Sequence, residues 1–327
     1  MRVLFAGLST PGHLHPMIPL AAALRADGHD VRFAAGEGAH PVLLANGLAP
    51  FSPGFAVHEI YAEDIADDLR RLAPDLVVAG WGVPGVAEAA TGIRTIWHGF
   101  GRLYPEGIGM VRPTGTGLPH IDICPPSLQD KDFLAESRVP MRPTGLPDPA
   151  PVPDLTGTDD DAGSIIYLTL GTVFGTPGLL TTAIAALSPL AARLVVAAGR
   201  VPPADLGPLP PNTTAHTWLP QDAVIGHADL VVHHAGSGTT LGALAAGVPQ
   251  LLLPQGADQF ANAEALTAAG AARTVTPDTP DTPDTLDTIA EAARALLRSD
   301  DHRAAARALA AEIAAMPSPA EVARALV

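Results

Sequence analysis

The chain reads as an α/β protein built from two doubly wound, parallel-sheet domains, and three observations carry that expectation. Arg2 to Gly7, Leu14 to Asp27 and Val31 to Ala35 run as an apolar strand, a helical stretch ended by Gly28, and a second strand. In the other half Leu230 to Val232, Thr239 to Ala246 and Gln250 to Leu253 repeat strand, helix and strand, with Gly247 and Pro249 closing the helix. Between them Arg138 to Gly163 is rich in proline and ends in Asp159-Asp160-Asp161, the composition of an interdomain linker. The chain's 327 residues suffice for two domains that each bury a core: 1–137, a linker at 138–163, and 164–327.

In chain order, the turn Ser9-Thr10-Pro11-Gly12-His13-Leu14-His15-Pro16 follows the first strand and places His13 at the carboxyl edge of the sheet, where ligands of doubly wound folds bind. The residues alone leave His13 as a functional group, a polar loop residue or a helix cap; His15 caps or packs. Pro74-Asp75-Leu76-Val77-Val78 starts the next strand, which exits through Ala79-Gly80-Trp81-Gly82, so Asp75 stands at the entry end. A helix at Val86 to Thr91 and a strand at Ile93 to Trp97 follow, with His98 on the loop beyond. After the linker come a strand at Ser164 to Leu170, a helix at Leu179 to Ala186 and a strand at Leu194 to Ala197. Trp218, a core residue or a ligand platform, precedes a short segment at Asp222 to Ile225.

The glycine-rich turn after Leu230 to Val232 carries the chemistry. Gly236 and Gly238 permit a tight bend, and the backbone N–H groups and the hydroxyls of Ser237, Thr239 and Thr240 converge where a helix dipole begins. That makes an anion site suited to a diphosphate, or an ordinary βα turn that binds nothing. His234 at the strand exit adds a hydrogen bond or a positive charge, and Asp258 and Gln259 reach the same sheet edge after the next strand. Beyond a helix at Ala263 to Ala269, the Thr-Pro-Asp repeat from Thr276 to Asp284 reads as a surface loop, with helices at Leu286 to Leu297, Asp301 to Ala315 and Pro319 to Leu326.

Bulk properties narrow the partners. With 34 acidic against 19 basic residues the net charge is −15, which argues against nucleic acid and anionic membrane but leaves room for a nucleotide held by a local nest of N–H groups. No apolar run reaches the ~18 to 20 residues of a membrane span, and Met1 leads straight into a strand pattern, so a soluble, cytoplasmic protein is expected. The single cysteine, Cys124, forms no internal disulfide and offers no metal spacing; the aspartate run is a solvated loop rather than a metal site.

His234-Ala235-Gly236-Ser237-Gly238-Thr239, with Trp218-Leu219-Pro220-Gln221 before it and Pro254 and Asp258-Gln259 after it, resembles the nucleotide-sugar motif of the family 1 glycosyltransferases. The likeness is greatest to the actinobacterial branch that decorates polyketides and other natural products, of calicheamicin and macrolide type. It implies the GT-B arrangement, two Rossmann-like domains facing across a cleft, with the acceptor on the first, the donor on the second and the last helix bracing the first. The implied reaction is an inverting, metal-independent transfer of a deoxysugar or hexose from a dTDP- or UDP-sugar to a hydroxyl of a small aglycone. The donor is a substrate, no cofactor is implied, and the enzyme would act as a monomer or homodimer.

Gly12-His13-x-x-Pro16 is similar to the family motif that carries the catalytic base, which gives His13 that role, with Gly12 among the donor contacts. Gly171-Thr172 resembles the loop that approaches the diphosphate, and Trp218 the residue whose indole stacks on the nucleobase, with Gln221 near the nucleoside. His234 and Gly236 to Thr239 would hold the diphosphate, and Asp258 and Gln259 the sugar. His98 falls on the acceptor side or serves as a polar loop residue. The chain departs from the pattern in three ways. No aspartate stands where the family orients its histidine; Gly242 occupies the ribose-binding position of plant relatives; and the intervals before Pro74 and between Phe100 and Ile121 are short, so the acceptor domain is pruned. Two rival readings are a nucleotide-sugar-binding protein with little or no turnover and another GT-B enzyme such as a nucleotide-sugar epimerase.

Overall fold

The computed structural model describes residues 1–54, 59–146, 153, 163–171, 175–276 and 282–327. Its contacts divide the chain into two compact units, Met1–Leu146 with Ile313–Val327, and Pro147–Glu312.

The first unit opens with β1 (Arg2–Ala6), α1 (Pro11–Leu14), α2 (Ile18–Ala26), β2 (Asp30–Ala34), α3 (His40–Ala45) and β3 (Ala49–Phe51). It continues with α4 (Ala62–Leu72), β4 (Leu76–Gly80), α5 (Pro84–Ala89), β5 (Thr95–His98), β6 (His120–Asp122) and β7 (Arg138–Pro140). The strands form one parallel sheet in the order β3-β2-β1-β4-β5-β6-β7. Every residue of β4 is buried, as a parallel strand covered on both faces requires, which is why the strands read as apolar runs without alternation. The helix expected over Leu14 to Asp27 is broken instead into α1, a 3₁₀ turn at His15–Met17, and α2, because Pro16 and Pro19 lack the N–H groups that would join them. β7 corrects the expected linker boundary: Arg138–Pro140 pairs with β6 as the edge strand of this sheet.

The second unit runs β8 (Ile165–Thr169), α6 (Pro177–Leu187), β9 (Arg193–Ala197), β10 (Thr213–His216), α7 (Gln221–Ile225), β11 (Leu230–His233) and α8 (Ser237–Ala245). Then come β12 (Gln250–Leu252), α9 (Gln259–Ala268), β13 (Ala272–Thr274), α10 (Pro283–Arg298) and α11 (Asp300–Ala315). Its sheet is also parallel, in the order β10-β9-β8-β11-β12-β13. Leu168, Leu180, Leu194, Val232, Leu251, Ile289 and their neighbours form the buried core between this sheet and the helices α6 and α10. α10 begins inside the Thr-Pro-Asp repeat: Thr282 caps it by accepting the Thr285 N–H, and Pro283 sits at the first helical position, where its missing N–H costs nothing. The rest of the expected repeat loop, residues 277–281, lies outside the described residues.

The chain returns to the first unit near the end of α11, and α12 (Pro319–Leu326) packs against α2. Arg142 N–H donates to the Pro317 carbonyl at 2.7 Å and Arg94 Nη1 to that of Leu326 at 2.6 Å. Among the described residues no helix is long and apolar enough to cross a membrane.

Candidate functional site

In the second unit, β11 is apolar and buried until it reaches His233, and two buried side chains, His233 and Gln250, shape the turn at its exit. The Ala235 N–H donates to His233 Nδ1 at 3.1 Å, so the imidazole carries its proton on Nε2 and donates it to Gln250 Oε1 at 2.7 Å. Burial, together with the neighbouring His234, pushes His233 down to about 3, and it stays neutral. Ala235 bends into the left-handed region at φ 65°, and Gly236 at the N-cap leads into α8. The first N–H groups of α8, like those of any helix, have no intrahelical acceptor, and Gly236 has no side chain with which to cap them. Beyond Gly238 the space is open: a side chain there would meet nothing within 4 Å.

His234 is wedged between two glycines. A Cβ on Gly171 would lie 2.5 Å from its ring, and one on Gly236 2.3 Å, so both positions need glycine to admit the imidazole. Burial lowers its pKa to about 4 against a weaker opposing pull from the Thr169 backbone, which selects the hydrogen-bonding alternative over the positive charge.

Two of the hydroxyls expected to face the anion are engaged by other side chains. Ser237 Oγ donates to Asp258 Oδ2 at 3.2 Å and Thr239 Oγ1 to Gln221 Oε1 at 2.9 Å, while Thr240 Oγ1 is buried with no partner among the described residues. In this arrangement the groups left for an anion are the backbone N–H groups at the start of α8. Gln259 is buried, and its Oε1 accepts the N–H groups of Gln255 at 2.8 Å and Gly256 at 3.2 Å. Its carbonyl end therefore holds the loop after β12, leaving only the amide nitrogen for the sugar role expected of it. Asp258 is half-buried, and burial raises its carboxyl pKa against the hydrogen bonds from Asn262 and Ser237.

Trp218 is 54% exposed, unlike a core tryptophan. Gln221, held by Thr239, lies beside Gly242: its Nε2 and Asp222 Oδ1 are each 3.5 Å from where a Gly242 Cβ would stand. Thr172 and the Asp159 to Asp161 run lie outside the described residues.

In the first unit His13 sits on the short α1, its ring 4.1 Å between centroids from that of Phe100. Its Nδ1 is buried with no hydrogen-bond partner among the described residues and faces Gly82, whose Cβ would lie 3.2 Å away. The exit of β4 thus presents bare backbone where a carboxylate would orient the ring, and burial pushes His13 down to about 4. Neighbouring Gly12 is exposed with open space beyond it. The loop role considered for His98 is corrected: it ends β5, is 1% exposed, and donates from Nδ1 to the Gly99 carbonyl at 2.7 Å.

Residues that sequence reasoning missed pack around the predicted side chains in each unit. Phe100 stacks on Tyr104 at 5.7 Å and meets Trp81 edge-on at 5.6 Å, forming the aromatic wall behind His13. Buried Asp122 pairs with Arg138 at 2.9 Å and accepts Gln129 Nε2 at 2.9 Å, and Gln129 Oε1 accepts the Leu103 N–H at 2.8 Å, which anchors the loop after Phe100. Asn262, four residues beyond Asp258, was legible as its helical neighbour; its reach back to the turn was not.

Comparison with known proteins bears on both units. Residues 181–327 match the family model described as erythromycin biosynthesis protein CIII-like, C-terminal domain. The chain is 32% identical to the L-demethylnoviosyl transferase of Streptomyces niveus, over all of the chain and 97% of that protein. That alignment runs over 381 positions against the chain's 327 residues, so the relative carries segments this chain lacks. The structure is similar to that of the glycosyltransferase SnogD from Streptomyces nogalater, with TM-score 0.79 and 28% identity over all of this chain and 98% of the other. It is likewise similar to the Streptomyces sp. SF2575 glycosyltransferase SsfS6 complexed with thymidine diphosphate, with TM-score 0.78 and 27% identity over all of this chain and 99% of the other.

Proposed function

Because the chain belongs to the family 1 GT-B glycosyltransferases, in the actinobacterial branch of antibiotic biosynthesis, we propose that it moves a deoxysugar or hexose from a dTDP- or UDP-sugar to a hydroxyl of a small natural-product aglycone, with inversion and without a metal. The observation that carries this reading is the glycine-capped first turn of α8, with unspent N–H groups and open space beyond Gly238. A glycosyltransferase 27% identical to this chain has been solved with thymidine diphosphate. In this reading the helix end receives the diphosphate by dipole and N–H donation, and neutral His234 adds a hydrogen bond. Trp218 stacks on the base, and Asp258 accepts from a sugar hydroxyl through Oδ1, since both of its side-chain partners occupy Oδ2. His13 removes the proton from the acceptor hydroxyl as that oxygen attacks the anomeric carbon, and the diphosphate leaves into the prearranged dipoles of α8. Incubation with dTDP- and UDP-sugars and a mixed aglycone panel, read by mass spectrometry and anomeric NMR coupling, tests this. A product with retained anomeric configuration, or donor binding without any transfer, overturns it.

Metal independence follows from neutralising the leaving group with backbone dipoles, so EDTA is expected to leave the transfer rate unchanged. A rate restored only by Mg²⁺ or Mn²⁺ counts against the reading and returns Asp159 to Asp161 to consideration. Asp258→Ala is expected to leave dTDP or UDP affinity nearly unchanged and to weaken the sugar-linked donor about tenfold, the loss from one hydrogen bond to a charged group. The penalty is larger for a fully hydroxylated hexose than for a deoxysugar lacking the contacted hydroxyl. Equal losses for nucleotide and nucleotide-sugar in calorimetric titration would reduce Asp258 to a tie between α8 and α9.

A further inference from the structure

We propose that Asn262 is a positioning residue of the donor site, one amide that holds both the diphosphate turn and the sugar-reading carboxylate in place. The inference rests on reading the Gly236 to Thr239 turn as the diphosphate site. Asn262 lies on the first turns of α9 and is 4% exposed, too deeply buried to be a ligand contact of its own. Its Nδ2 donates to the Ala235 carbonyl at 3.0 Å and to Asp258 Oδ2 at 3.0 Å, and lies 3.4 Å from Ser237 Oγ. An amide nitrogen carries two hydrogens, and the two short contacts take both.

Each bond governs a different part of the site. Ala235 is a non-glycine residue at φ 65°, a conformation that L-residues avoid and keep only where their surroundings impose it. Its N–H is held by His233 Nδ1 and its carbonyl by Asn262, so the two peptide groups flanking the strained Cα are clamped from β11 and from α9. That clamp sets the direction in which α8 starts, and hence where its first N–H groups point. The second bond, with the Ser237 hydroxyl, saturates Asp258 Oδ2 and leaves Oδ1 for the sugar. Removing the amide is therefore expected to harm nucleotide and sugar recognition by separable routes.

Ala235→Gly separates them, because glycine adopts positive φ without a clamp. The experiment measures dTDP and dTDP-glucose dissociation constants by calorimetry on the full chain for wild type, Asn262→Ala, Asn262→Ala with Ala235→Gly, and Gly236→Ala. Asn262→Ala is expected to weaken dTDP about tenfold, the effect of losing one buried hydrogen-bond partner. Adding Ala235→Gly restores dTDP affinity, yet the extra affinity that the sugar confers in wild type stays lost, since Asp258 still lacks its amide. A purely structural asparagine would lower the unfolding temperature without producing this split. If Asn262→Ala does not fold, Asn262→Ser replaces it, with a hydroxyl too short to reach both acceptors. Wild-type affinity for both ligands in a folded Asn262 variant, or failure of Ala235→Gly to restore dTDP affinity, overturns the proposal. Gly236→Ala, which drives a methyl into His234, keeps the underlying reading separate. If that variant binds dTDP as wild type does, the turn is not the diphosphate site and the premise itself is wrong.

Discussion

His13→Ala is expected to lower the transfer rate at least a hundredfold, the low end for general base catalysis, while leaving dTDP and UDP affinity at the wild-type level. In the proposed function Trp218, His234 and the start of α8, all of the second unit, hold the donor, whereas His13 stands on α1 of the first. The low end of the range is appropriate because this base is weak. Burial holds it near 4, and no carboxylate among the described residues stabilises the imidazolium that forms when it accepts a proton. Single-turnover transfer with saturating donor measures the rate, and calorimetric titration of the same variant measures binding. A variant that loses nucleotide affinity in proportion to rate would make His13 a donor ligand and remove it as the base.

Acidification is expected to unfold the protein before it protonates that base. Five histidines have pKa values depressed well below 6.5, His13, His98, His120 and His234 to about 4 and His233 to about 3, and that of His15 is lowered as well. Desolvation is the leading cause in each. The unfolded chain takes up these protons near 6.5 and the folded chain only near 4, so the stability present above pH 6.5 is lost as the pH falls through that window. Each such group costs at most about 1.4 kcal/mol per pH unit there, and the five act in the same direction. Asp122, Asp222 and Asp258, whose pKa values burial raises, act in the opposite sense. The first unit holds three of the five histidines and the second two, which makes the first unit the steeper in its response. Urea unfolding followed by circular dichroism at pH 7.5, 6.0 and 5.0 provides the check. Equal midpoints at pH 7.5 and 5.0 would show that these rings are solvated or already charged in the folded protein. The acid limb of the transfer rate should likewise track loss of structure rather than a titration near 6.5.

What the sequence determined by itself is the part governed by local periodicity and by spacing within one βαβ unit. The strands β1, β8 and β11 and the helix α8 are apolar runs punctuated by glycine and proline, and their placement needs no information from elsewhere in the chain. The placement of His13, His234 and the Gly236 to Thr239 turn was legible for the same reason: a strand that ends in a parallel sheet delivers the next residues to its carboxyl edge. The tertiary structure decided everything that depends on which side chain meets which across large sequence separations. Ser237 and Thr239 carry hydroxyls suited to a phosphate, and the fold brings Asp258 and Gln221 within hydrogen-bond reach of them. Gln259 has the chemistry to read a sugar, yet the loop N–H groups of Gln255 and Gly256 occupy its oxygen. His98, on a loop by pattern, is a buried strand end because β6 extends the sheet beyond it. Desolvation works in the same way: no local pattern announces that His13 is packed against Phe100 and faces bare backbone at Gly82, and those neighbours make its imidazole a weak base. A buried polar atom takes whichever partner the fold brings within reach, and that choice is made by the packed structure as a whole.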